Sequence, residues 1–139
     1  MGEVPSTVAV AGPVRWWLRA EGLVALVACV ALYARLGNGW LLFAVLLLAP
    51  DLAMLGYLRG PAVGAAVYNV VHSYVLPALL FAAGWLGDSA LAVALSLIWA
   101  AHIGMDRALG FGLKDRAGFG FTHLGLSGRA ARRAAGPAG

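Results

Sequence analysis

The chain has 139 residues, 62% of them apolar and only 12% charged, with a mean hydropathy of +0.84, whereas soluble domains carry about 25% charge. These values exclude an ordinary soluble domain and a disordered chain, and the length supports one domain at most. The formal charge of +4 would suit a nucleic-acid partner if the bases formed one patch; they flank apolar runs instead, so the partner expected is a lipid bilayer and no nucleic acid.

Residues 1–14 read as a disordered leader. Met1-Gly2 with Ser6 has the spacing of an N-myristoylation signal, but both residue types are common and the Ala/Gly/Arg-rich style of the chain is bacterial. Leu26-Val27-Ala28-Cys29 fits a lipoprotein cleavage box, yet its apolar core of about six residues is shorter than a secretory core and the chain stays apolar past the cysteine. Cys29, the single cysteine, allows no internal disulfide.

Four apolar segments follow, each near the roughly 20 residues a helix needs to cross a hydrocarbon core. The first runs from about Trp16 to Leu36 and ends at the turn Gly37-Asn38-Gly39; the second runs from about Trp40 to Leu58 and ends at Arg59-Gly60-Pro61. Pro61 opens the third, which extends to about Trp85 with a kink expected at Pro77. Asp88 or Ser89 caps the fourth, about residues 89–111. Unpaired backbone groups are too costly in lipid for anything but helices here, and the short turns place sequential helices side by side. The expected fold is therefore all-α: four transmembrane helices in an up-down antiparallel bundle. The folded domain spans 15–125, including a Gly/Phe-rich return, with a basic disordered tail over 126–139.

Nine of the ten Lys and Arg fall on one side of this arrangement, with Arg35 alone on the other. The positive-inside rule then puts both termini in the cytoplasm of a bacterial cell membrane. Trp16 and Trp17 mark the inner interface, Trp40 and Trp85 the outer one. Small residues four apart, Gly56/Gly60/Gly64 and Ala100/Gly104/Ala108/Gly112, predict close helix approaches. The Arg129–Arg133 cluster is expected to touch anionic lipid.

Ionisable groups inside a bilayer are costly and mark functional sites by default. Asp51 follows Pro50 in the second segment, Asn69 and His72 lie in the third, and His102 and Asp106 in the fourth. At about 1.5 Å per helical residue, Asp51, His72, Asn69, His102 and Asp106 all fall roughly 8 to 16 Å from the cytoplasmic end. Spacings of three and four put Tyr68, Asn69 and His72 on one stripe and Trp99, His102 and Asp106 on another. The set Asp51, His72, His102 and Asp106 offers imidazole nitrogens and carboxylate oxygens to one divalent metal such as zinc, iron or manganese. Asp51, His102 and Asp106 are the candidate catalytic groups, with metal-activated water or with Asp as base and His as acid. A proton or ion relay, which four helices would complete only as a homo-oligomer, and a purely structural buried pair are the alternatives. Tyr68, Asn69, Tyr57 and His123 are supporting candidates, His123 being returned toward the bundle mouth by the tail. Glu21 is expected to pair with Arg107 at the cytoplasmic end.

Taken in order, Arg19-Ala20-Glu21-Gly22, Tyr33-Ala34-Arg35-Leu36-Gly37, Ala49-Pro50-Asp51-Leu52 with Met54-Leu55-Gly56-Tyr57, Tyr68-Asn69 with His72 and Tyr74, Ala101-His102-Ile103-Gly104 with Asp106-Arg107, and Phe119 with Thr122-His123-Leu124-Gly125 resemble the small bacterial membrane proteins of domain of unknown function 4260. The resemblance covers about Arg15 to Gly125 and implies a multi-pass membrane protein; it carries no mechanism. The order Pro-Asp, His, His-x-x-x-Asp, Thr-His is also similar to small inner-membrane metal-dependent hydrolases. This chain departs from them in lacking a second Asp near Asp51 and a His beside it, so the similarity does not carry a dinuclear centre or an activity over to it.

Overall fold

The computed structural model describes residues 12–115, 118–122 and 125–126. Its helices are α1 (Pro13–Leu36), α2 (Trp40–Leu47), a 3-10 segment (Ala49–Arg59), α3 (Pro61–Val71), α4 (Val75–Leu86) and α5 (Ala90–Leu109). They make up four stretches long and apolar enough to cross a membrane: Pro13–Leu36, Trp40–Arg59, Pro61–Leu86 and Ala90–Leu109. Large apolar side chains such as Val24, Leu41, Leu58 and Leu79 face outward, a surface that water would disfavour and lipid would not.

Proline and glycine explain the boundaries. Gly37 ends α1 with φ 71°, a left-handed conformation that side chains other than glycine rarely adopt. Pro61 stands at the start of α3, where a missing N–H costs nothing. Ser89 is the cap of α5, its hydroxyl accepting from the Ala92 N–H at 3.3 Å. At the other end Gly110 (φ 94°) closes a Schellman turn, with Phe111 N donating to Asp106 O at 2.7 Å and Gly110 N to Arg107 O at 3.0 Å.

The two middle spans depart from the continuous helices expected. Pro50 has no N–H for the Leu46 carbonyl, and its ring crowds that carbonyl; the chain tightens into the 3-10 segment, where Asp51 N bonds to Leu48 O at 3.2 Å. The third span breaks outright over His72-Ser73-Tyr74. The kink expected at Pro77 therefore lies one turn earlier, because a proline disturbs the carbonyl four residues before it, here that of Ser73.

α5 is the hub. Eleven of its twenty residues are buried, whereas α1 buries only Gly22 and Tyr33. It packs against α1, α4 and α2. Where α1 crosses α5, a Cβ on Gly104 would lie 2.7 Å from Gly22 O and 2.8 Å from Leu26 N, so only glycine allows this approach. The Tyr57 ring lies against Gly64 in the same way, and Val67 covers Gly56; both glycine series expected from the sequence thus include residues at helix contacts. Tyr33, fully buried, ties the α1–α2 turn by donating to Gly39 O at 2.9 Å and packing on Phe43.

After α5 the chain forms a small antiparallel meander of β1 (Lys114–Asp115), β2 (Gly118–Thr122) and β3 (Gly125–Leu126). The sequence reading anticipated a return here and no strands. The meander does come back, with β1 and β2 lying against α3. Of the leader expected over 1–14, residues 1–11 lie outside the described residues, as does the basic tail from 127 onward, whereas Pro13 and Val14 already belong to α1, where proline suits the first helical turn.

Gly104→Val is expected to destabilise the protein by about 1–3 kcal/mol through overpacking, whereas Gly39→Ala, at a position open for 4 Å around, stays within about 0.5 kcal/mol. Thermal unfolding in detergent, read by tryptophan fluorescence, checks the pair.

Candidate metal centre

Each of the four candidate ligands is delivered by a distinct local feature. Asp51 projects from the first turn of the 3-10 segment, directly after buried Pro50. His72 occupies the C-terminal cap of α3, at the break in the third span. His102 and Asp106 stand one turn apart on the buried face of α5, and Asp106 lies at the turn that the Gly110 motif closes.

These residues converge on one point. His72 Nε2 and His102 Nε2 are 3.1 Å apart. Asp51 Oδ1 lies 3.6 Å from His72 Nε2 and 3.4 Å from His102 Nε2. Asp106 Oδ2 lies at the same two distances. All four ligand atoms fall within 4.8 Å of one another. A tetrahedral zinc site with bonds of about 2.1 Å has edges of about 3.4 Å, so these five separations match what one ion would need.

The surroundings orient the rings. His72 Nδ1 lies 3.0 Å from the Tyr68 carbonyl, which fixes the proton on Nδ1 and leaves the Nε2 lone pair aimed at the other three groups. His72 also stacks on the Tyr68 ring at 3.7 Å, and the Tyr68 hydroxyl donates to Asp106 Oδ2 at 3.4 Å. His102 Nδ1 is buried and faces the Leu47 carbonyl outside hydrogen-bond geometry. Both histidines are fully buried and Asp106 nearly so, while the Asp51 side chain is 38% accessible. The centre is therefore closed on three sides and open on the Asp51 side.

A break in a membrane helix frees carbonyls that must find donors, and two residues supply them that the sequence reading had assigned otherwise. Trp99, expected on the stripe of His102 and Asp106, instead donates its indole N–H to Val71 O at 2.7 Å. Arg107, expected to pair with Glu21, instead donates to His72 O at 2.9 Å and to Phe111 O at 3.0 Å, and is itself buried. Glu21 is exposed and forms no ion pair among the described residues. Ser73 Oγ satisfies Val70 O at 3.2 Å. The signal in the sequence was the proline at 77: it called for a break, and a break calls for donors.

Of the supporting candidates, Tyr68 contacts the cluster directly. Asn69 is half-buried one position along α3, and Tyr57 packs on Gly64. His123 lies outside the described residues.

The model of the family described as domain of unknown function (DUF4260) matches residues 15–126. The chain belongs to this family. The match takes in the four spans but for Pro13 and Val14, all four candidate ligands and the whole meander. No curated protein and no solved structure matches the chain.

Trp99→Phe keeps the ring and removes the donor, leaving the Val71 carbonyl without its partner. It is expected to cost about 1–3 kcal/mol, measured by thermal unfolding in detergent, with Trp85→Phe on the exposed surface as the silent control.

Proposed function

We propose that this DUF4260 protein is a multi-pass protein of the bacterial cytoplasmic membrane that holds one divalent metal ion, of the zinc class, and uses it for hydrolytic chemistry at the membrane. The observation that carries the reading is the convergence of four donors from three spans at 3.1–3.6 Å. Four groups that present lone pairs to one another repel in a low-dielectric interior unless a proton or a cation lies among them, and a divalent ion satisfies all four at once. Two neutral imidazoles and two carboxylates form an N/O set suited to zinc, iron or manganese.

When bound, such an ion supplies Lewis acidity and lowers the pKa of a bound water. The chain's own groups divide the remaining work. His72, His102 and Asp106 are held by packing and by the Tyr68 contacts, which suits fixed ligands. Asp51, on the 3-10 segment and half exposed, would be the group placed to accept a proton from water. With all four residues as ligands, the candidate catalytic and metal-binding sets become one site.

The up-down order is supported by pairings along α5. Gly22 meets Gly104 and Ala108 and Tyr68 meets Asp106, as expected if the first and third spans run against the fourth. The excess of Lys and Arg on one side supports cytoplasmic termini. The bilayer, with anionic lipid at the basic tail, is the proposed partner.

Metal content by plasma mass spectrometry tests this reading. The parent protein purified in detergent is expected to carry about one equivalent of zinc, iron or manganese, and the His72→Ala/His102→Ala double variant to carry at least tenfold less, as loss of two ligands demands. A parent that stays metal-free after incubation with these ions overturns the metal and hydrolase reading. It leaves a proton shared across the 3.1 Å His72–His102 contact as the cation that holds the cluster together.

A further inference from the structure

A second feature adjoins the centre. Leu46, Ala49 and Pro50 of the second span, Val71 and Leu80 of the third, and Leu95, Ile98 and Trp99 of α5 line an open cleft of about 390 Å³. Trp99 Nε1 is spent on Val71 O, so the walls are hydrocarbon or aromatic throughout.

The cleft is placed with respect to the metal centre by the chain itself. Pro50 and Val71 are the immediate neighbours of Asp51 and His72, and Ile98 and Trp99 lie one turn before His102. One end of the cleft thus falls where both middle spans break. From there it runs along α5 toward Leu95, away from Asp106. Every lining residue belongs to a stretch long and apolar enough to cross a membrane, so the medium at its mouth is lipid acyl chain. The four cluster residues do not line the cleft themselves, but its end lies one residue along the chain from Asp51 and His72; an apolar trough beside a polar cluster has the two-part character of an amphiphile, with a tail beside Leu46, Leu80 and Leu95 and a polar end near Asp51.

We propose that this cleft holds the acyl chain of a membrane lipid that enters sideways from the bilayer and presents its oxygen-bearing polar end to the Asp51/His72/His102/Asp106 centre. The substrate class of the centre is then a lipid, approached through the accessible Asp51 side. The lipid's destination rests on the metal reading above; the tail's place in the cleft does not.

The test uses the full-length protein in vesicles doped with a phospholipid that carries a photoreactive diazirine on one acyl chain, with attachment sites mapped by mass spectrometry. Labelling is expected at Leu46, Leu80, Leu95 and Ile98, about fivefold or more above the exposed Val24 and Leu41, as for a site that retains a chain over bulk lipid. Leu80→Trp and Leu95→Trp, each filling the cleft from a different helix, are expected to abolish that excess, while Leu79→Trp on the outer face of α4 leaves it intact. Two cleft variants guard against one that fails to fold, and metal content is measured on the same samples. Uniform labelling of all outward-facing residues overturns the proposal. Cleft-specific labelling in a metal-free protein retains the lipid site and removes the metal reading, whereas bound metal with uniform labelling does the reverse.

Discussion

Two imidazole nitrogens 3.1 Å apart, flanked by carboxylate oxygens at 3.4 and 3.6 Å, need a proton or a cation among them inside an apolar helix bundle. The cost of an uncompensated buried carboxylate is several kcal/mol at least, and the remainder of the fold is arranged around meeting it. α5, the most buried helix, presents His102 and Asp106 one turn apart. The two middle spans then have to bring Asp51 and His72 to the same point, and each does so by giving up regular helix where its ligand stands.

Those breaks carry their own requirement. A carbonyl freed in hydrocarbon needs a donor from elsewhere in the protein, and Ser73, Trp99 and Arg107 serve Val70, Val71 and His72. Arg107 is informative because its charge lies within the protein beside the site and is held by two carbonyls. It adds positive potential near the two carboxylates while bracing the turn that carries His72. The same irregular backbone that positions the ligands also leaves the cleft beside Pro50 and Val71 open. Cluster and cleft thus share one structural cause.

Much of this was legible in the sequence. Long apolar runs separated by Gly-Asn-Gly, Arg-Gly-Pro and Gly-Asp-Ser give the four spans, because helix length and turn chemistry are local properties. The clustering of Asp51, His72, His102 and Asp106 was legible too, since an ionisable side chain at membrane depth has few reasons to be there and depth can be counted along each helix. The residues read poorly were those whose role depends on another element's irregularity. Arg107 counted as a flanking charge and Trp99 as a member of a stripe, because nothing local says that a carbonyl on α3 has lost its partner. Pro77 gave the break but not its position, which follows from the carbonyl four residues earlier. The meander after α5 was missed because its strands are two to five residues long and glycine-rich, too short for a period-two pattern to register.

X-ray absorption at the metal edge of the purified protein tests the central claim most directly, because it reads which atoms surround the ion. The account predicts four nitrogen or oxygen neighbours at about 2.0–2.1 Å, two of them with the multiple-scattering signature of imidazole, and no sulfur. A spectrum with sulfur neighbours, or without histidine scattering, would contradict a centre built from Asp51, His72, His102 and Asp106.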